Sequence, residues 1–211
     1  MDPGRLWTAS LRAIPQGDAI TRIMAAALSA VEPGAAVRRV LRRDGDTLYA
    51  GERSFDLRTI DRILVVGAGK AGAPMAHAVA DLLGPRLDAG LVVVKDGHLS
   101  GPAPHPIELV EAGHPVPDAR GVAAAQRLAT LLQGLSARDL VIVLISGGGS
   151  ALLTLPAPGL TLADMQALTA ALLACGASIG EINSLRKHLE MLKGGGLARL
   201  AYPATLVTLI L

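Results

Sequence analysis

The chain has 211 residues, 51% of them hydrophobic, with 20 basic and 18 acidic side chains for a formal charge of +2. That length suits one generous domain, or a domain with an arm, with ample aliphatic material for a core. The near-balanced charge argues against a nucleic-acid surface, and the few aromatic residues (Trp7, Tyr49, Phe55 and Tyr202) leave little to stack on exposed bases.

In chain order, Met1 to Gly17 carry Asp2, Pro3, Pro15 and scattered charges rather than an apolar segment, so no secretory leader is expected. Asp18 is a candidate cap for a helix carrying Ile20, Ile23, Met24, Ala27, Leu28 and Val31, ended by Pro33-Gly34. Val37 to Arg43, Asp44-Gly45 and Thr47 to Ala50 read as a small hairpin. Its basic cluster, Arg38, Arg39, Arg42 and Arg43, reads as a solvated strand face. Residues 1–60 are thus expected to form a helix and hairpin packed on a main domain over 61–211.

The main domain begins with Ile63-Leu64-Val65-Val66, a run apolar enough for a strand buried on both faces. It enters Gly67-Ala68-Gly69-Lys70-Ala71-Gly72. A helix follows with Met75, Val79, Leu82 and Leu83 on one face and stops at Gly84-Pro85. Leu91 to Val94 is a second buried strand and Ile107 to Val110 a short third. Asp118 can cap a helix to Leu132, with Gly134 its natural stop. Leu140 to Ile145 is the next strand and runs into Ser146-Gly147-Gly148-Gly149-Ser150. Thr161 and Asp164 form a capping-box pair before a helix ending at Gly176. Another helix spans Ile182 to Leu192, Gly194 to Gly196 interrupt, and Thr205 to Leu211 is again an apolar strand. Strands alternating with helices argue for a doubly wound, mostly parallel, Rossmann-like α/β sheet with helices on both faces. The sequence stops inside an apolar strand, just where such sheets place their ligand loops, so a longer natural chain is expected. A terminal strand left unpaired suggests a partner surface or an exposed edge prone to aggregation, and a homodimer is a candidate assembly.

Gly67, Gly69 and Gly72 match G-x-G-x-x-G between a strand and a helix, a turn whose backbone can approach a phosphate; a tight turn with no ligand is the alternative. A dinucleotide would also want an acid after the next strand, where Asp96 stands beside Lys95. Lys70, expected at the first turn of the helix, is unfavourable there unless an anion accompanies it; a solvent-pointing lysine is the alternative. Ser146-Gly147-Gly148-Gly149-Ser150 exposes several N–H groups between two hydroxyls and reads as an anion nest for which phosphate is the common occupant; a flexible turn is the alternative. It lacks the Gly-Lys-Ser/Thr of a Walker loop and the central serine of a nucleophile elbow. Asn183, Arg186 and Lys187 share a helical face, and with Lys193 they read either as an anion-binding face or as a solvated basic one. His98, His105 and His114 lie in loops without zinc spacing, and no metal site is expected among the side chains. Cys175 is the sole cysteine, which fits a reducing cytoplasm, and no apolar run approaches the roughly 20 residues of a membrane helix.

These pieces occur in an order that resembles the glycerate 2-kinase family over Asp18 to Leu211. The matching segments are Gly67-Ala68-Gly69-Lys70-Ala71, Lys95-Asp96-Gly97-His98, Glu111 to Asp118, Leu144 to Leu152, Asn183 to Leu189 and Lys193-Gly194-Gly195. The resemblance implies ATP-dependent phosphorylation of D-glycerate at its 2-hydroxyl, with Mg²⁺, in a cleft closed by a C-terminal MOFRL domain that this sequence lacks. It implies a catalytic role for Lys70. Glu190 departs from the serine usual after Lys-His-Leu in that family. Some members were labelled hydroxypyruvate reductases, so an NAD(P)H-dependent reductase and a non-catalytic phosphate- or nucleotide-binding domain are the competing readings. With half of the cleft elsewhere, the 211-residue chain alone is expected not to turn over.

Overall fold

The computed structural model describes residues 2–211. After a 3₁₀ turn, the chain forms α1 (Ala9–Arg12), α2 (Gly17–Ala30) and α3 (Pro33–Val40). A three-stranded antiparallel sheet follows, of β1 (Leu41–Asp44), β2 (Thr47–Ala50) and β3 (Arg53–Asp56). Then come β4 (Ile63–Ala68), α4 (Gly72–Leu83), β5 (Ala89–Lys95), β6 (Ile107–Ala112), α5 (Ala119–Leu131) and β7 (Leu140–Ile145). The chain ends with α6 (Gly149–Leu152), α7 (Leu162–Ala174), α8 (Ile179–Leu189), α9 (Gly196–Ala201) and β8 (Thr205–Ile210).

The larger sheet has five strands in the order β6-β5-β4-β7-β8, all parallel. This is a Rossmann-like winding, in which the strand order reverses between β4 and β7. Alternation along each strand divides its apolar side chains between two cores. Ile63, Val65, Val92, Ile142 and Leu144 face α4, while Leu64, Val66, Val93, Val141 and Val143 face α5 and α9. Val37, Leu41, Leu48 and Leu57 from the first 60 residues join the α4 core.

Several sequence expectations change. Asp18 does not cap α2, which starts at Gly17; it lies in the first turn and pairs with Arg22 at 3.0 Å. The apolar stripe of α2 faces solvent, with Ile23 68% and Val31 70% exposed, and it is Thr21 and Ala25 that turn inward. Pro33-Gly34 opens α3 rather than ending the structure. Pro33 sits where its missing N–H costs nothing, and Glu32 accepts from the Gly34 and Ala35 amides. Val37 to Val40 are therefore helical, so Arg38 and Arg39 lie on α3 and only Arg42 and Arg43 on a strand. The second capping box, Ser178 with Glu181, starts α8 three residues earlier than expected, and α8 ends at Leu189. β8 is an edge strand, not a buried one, with Ile210 74% exposed. Among the described residues no single helix is long and apolar enough to cross a membrane, although α2 and α3, bent by 47°, reach that length and composition together.

The amino ends of β4 and β7 are tied by charge. Arg62 bonds both oxygens of Asp139, at 3.1 and 2.8 Å, and Asp139 also accepts from the Ser136 amide at 2.6 Å. The Arg62 hydrogen bond is the main cause that holds the Asp139 carboxyl below its ordinary range, and burial opposes it. Asp139→Ala leaves the Ser136 amide and Arg62 without this acceptor, and urea titration is expected to show a loss of about 2 kcal/mol. Because the native carboxyl is the stronger acid, its contribution is complete above the ordinary value of 3.8 and disappears as pH falls through the lowered native value. Acid titration of Asp139→Asn should lack that component.

Candidate functional site

The order reversal between β4 and β7 opens a crevice beyond their carboxyl ends, the usual ligand position in such sheets. Both glycine-rich loops emerge there. Gly67 is needed because a Cβ would lie 2.1 Å from the Leu144 carbonyl oxygen; Gly69, at φ +147°, would place one 2.1 Å from Ser146 Oγ. The two loops are hydrogen-bonded to each other. Lys70 N–H donates to the Gly147 carbonyl (2.9 Å), Ala71 N–H to Ser146 Oγ (3.0 Å), and Ser146 N–H to the Ala68 carbonyl (3.1 Å).

This pairing divides the labour between them. In the first loop, Gly69 N–H donates to Val93 and Gly72 N–H to Gly69, so the amides from Gly69 to Gly72 are all engaged internally. The fingerprint therefore serves a close approach of backbones. Asp96, the candidate ribose acid, is also engaged, in a bidentate pair with Arg120 at 2.7 and 2.8 Å. In the second loop, the amides of Gly147, Gly148 and Ser150 donate to none of the described residues. Gly148 is left-handed (φ +91°), and nothing lies within 4 Å of the position a Gly147 side chain would take. Consecutive free amides around a left-handed glycine are an anion nest.

Cations gather beside it. Lys70 is exposed and precedes α4 by two residues, outside its first turn. A Cβ at Gly148 would lie 3.4 Å from Lys70 Cε and 3.0 Å from His114 Cδ2, which places both side chains against this glycine. The Lys70 carbonyl is bonded to His98 Nδ1 at 3.1 Å. Burial first, then the charges of Lys70 and Lys95, push the His114 imidazole below its ordinary value, so it is neutral at pH 7. Lys95, His98 and His114 were not singled out from sequence as site residues. Their shared signal was position: each lies at or just beyond the carboxyl end of β5 or β6.

The remaining candidates lie on the other flank. Gly149, Ser150, Asn183, Lys187 and Lys193 border a cavity of about 540 Å³ floored by Ala68, Val143, Ile145 and Leu206. Arg186 does not share that face. It is buried, with Nε 3.1 Å from Glu190 Oε1 and Nη2 3.0 Å from the Ser150 carbonyl. Lys193 contacts Glu190 Oε2 and the Leu153 carbonyl (2.9 Å). For Mg²⁺ the described residues offer no group of three His, Cys, Asp or Glu, so they make no metal site on their own. Asp96 and Asp118 are both paired with Arg120, and Glu111 accepts from the Gly97 amide.

Residues 19–211 match the family described as Domain of unknown function (DUF4147). The chain belongs to this family. A D-glycerate 2-kinase from Thermotoga maritima is 46% identical over 152 residues, 72% of this chain and 36% of that protein. A protein of Agrobacterium vitis provisionally named hydroxypyruvate reductase is 49% identical over 182 residues, 82% of this chain and 41% of its own length. The crystal structure of a glycerate kinase from Thermotoga maritima superimposes with a TM-score of 0.76 at 40% identity, over 90% of this chain and 42% of that one. The DUF4147 chain thus spans about two fifths of the length of these relatives, and the likeness to the glycerate 2-kinase family holds over most of it.

The packing of the loops separates two kinds of glycine. Gly67→Ala forces a side chain into the Leu144 carbonyl and is expected to cost about 3 kcal/mol in denaturant unfolding. Gly147→Ala meets open space and should stay within about 0.5 kcal/mol of the parent.

Proposed function

We propose that this chain supplies the phosphate-binding side of a glycerate 2-kinase, which transfers the γ-phosphoryl group of ATP to the 2-hydroxyl of D-glycerate. The observation that carries this reading is the set of free amides at Gly147, Gly148 and Ser150, held beside Lys70 by the bonds between the two loops. Phosphoryl transfer needs positioning and charge neutralisation more than covalent chemistry. The amides and the Ser146 and Ser150 hydroxyl-bearing loop hold phosphate oxygens. Lys70 neutralises charge that builds on the transferring group. The cavity bordered by Ser150, Asn183 and Lys187 takes the remainder of the nucleotide, its apolar floor suiting a base.

In the transfer, the bond between the β–γ bridging oxygen and the γ-phosphorus breaks as the glycerate O2–phosphorus bond forms. ADP leaves with the bridging oxygen, and the hydroxyl proton must be accepted. Neutral His114 is suited to take that proton, because an imidazole beside two lysines is kept free of one at pH 7. The relatives are about twice as long, so a second domain completing the cleft belongs to the proposal, as does a cytoplasmic setting for the exposed Cys175 with its free thiol.

The test is glycerate-dependent ADP release by the full-length protein. Lys70→Ala is expected to lower it at least about tenfold, or 1.4 kcal/mol of barrier. A smaller loss would remove Lys70 from the chemistry. NADH oxidation with hydroxypyruvate, without ADP formation from glycerate, would replace the kinase by a reductase.

A further inference from the structure

Behind the second glycine loop lie three charges that the proposed chemistry does not use. Glu190 closes α8, and its side chain has no exposure to solvent. One oxygen accepts from Arg186 Nε, and the other meets Lys193 Nζ. Each cation reaches onward to a main-chain oxygen of the loop region, Arg186 to the Ser150 carbonyl and Lys193 to the Leu153 carbonyl. The main chain adds a strand-like clasp. Ala157 N–H donates to Leu189, Met191 N–H donates to Leu155, and Pro156 bridges Glu190.

α6 has only four residues and no side-chain cap at its start. Its carbonyls at Ser150 and Leu153 are among those a helix end leaves unsatisfied, and cations there are favourable. A buried guanidinium beside a partly buried ammonium, however, is tolerated only with a counter-charge. Glu190 is that counter-charge. We infer that Glu190 is a positioning residue: it holds Arg186 and Lys193 against the carbonyls of Ser150 and Leu153, and so fixes the Gly147, Gly148 and Ser150 amides in the geometry that receives a phosphate. This rests on the nest reading above and assigns Arg186 and Lys193 to the back of the loop, not to the ligand.

The arrangement leaves a trace in pH. Burial pulls the Lys193 ammonium down to about 8; Glu190 opposes this and Arg186 adds to it. The other charged side chain on the adjoining cavity is Lys187, and α6 and α9 present only uncharged residues there. As pH rises through about 8, the set loses one positive charge and its hold on Leu153 weakens.

The probe is sulfate, which keeps its charge over this range where phosphate does not, titrated into the 211-residue chain and followed by NMR at the Gly147, Gly148 and Ser150 amides. The parent is expected to bind saturably and to weaken between roughly pH 7 and 9 as Lys193 loses its proton. Glu190→Gln, with an unchanged fold by circular dichroism, should weaken sulfate about tenfold, and Glu190→Asp should recover part of the loss. Lys193→Met keeps the Arg186–Glu190 pair and should abolish the pH dependence. A folded Glu190→Gln that binds like the parent overturns the positioning role and leaves the nest intact. If that variant does not fold, an unaltered pH profile in Lys193→Met overturns it instead. No response of these amides in the parent overturns the nest reading itself.

Discussion

The contact on which the rest depends is the approach of β4 to β7 at their carboxyl ends. Gly67 lies so close to the Leu144 carbonyl that no side chain fits, and Gly69 stands against Ser146 in the same way. That closeness brings two loops, 75 residues apart at Ala71 and Ser146, into a shared hydrogen-bonded layer. One loop surrenders its amides so that the other can present its own. The order reversal supplies the crevice, and the missing β-carbons decide which loop faces it.

The chemistry that follows is electrostatic. Lys70 and Lys95 stand where an anion is expected, and His114 stays uncharged among them. Arg120 binds Asp96 and Asp118, so these two carboxylates are neutralised locally. Behind the loop, Glu190 stands between buried Arg186 and partly buried Lys193 and pairs with both. Positive charge is thus left free in front of the loop and compensated behind it.

Much of this fold was legible in the sequence because the buried strands announce themselves. Ile63 to Val66 and Leu140 to Ile145 are apolar at every position, as strands covered on both faces must be. The glycine runs marked the loop positions because Gly67 and Gly69 leave no room for a β-carbon and Gly148 is left-handed. What was hidden depended on partners distant in sequence. The G-x-G-x-x-G spacing does not reveal which carbonyls will approach its amides. Helical spacing placed Arg186 beside Asn183 and Lys187, but only packing tells that the Ile182–Arg186–Glu190 stripe is the inward one. Pro33-Gly34 was ambiguous in a local way, since proline stops one helix and starts the next with equal ease.

The solvent-facing stripe of α2 bears on how the molecule comes apart. α2 packs against the first turns of the chain, with Trp7 beside Gly17, rather than against the five-stranded sheet. Its opening therefore exposes little that is not already wet, whereas opening α4 or α5 empties a core. α2 with the first turns thus lies shallower than the sheet, whereas Val37, Leu41 and Leu48 belong with the core around α4. Amide hydrogens of α2 can exchange through local excursions, while those of β4 and β7 await global unfolding.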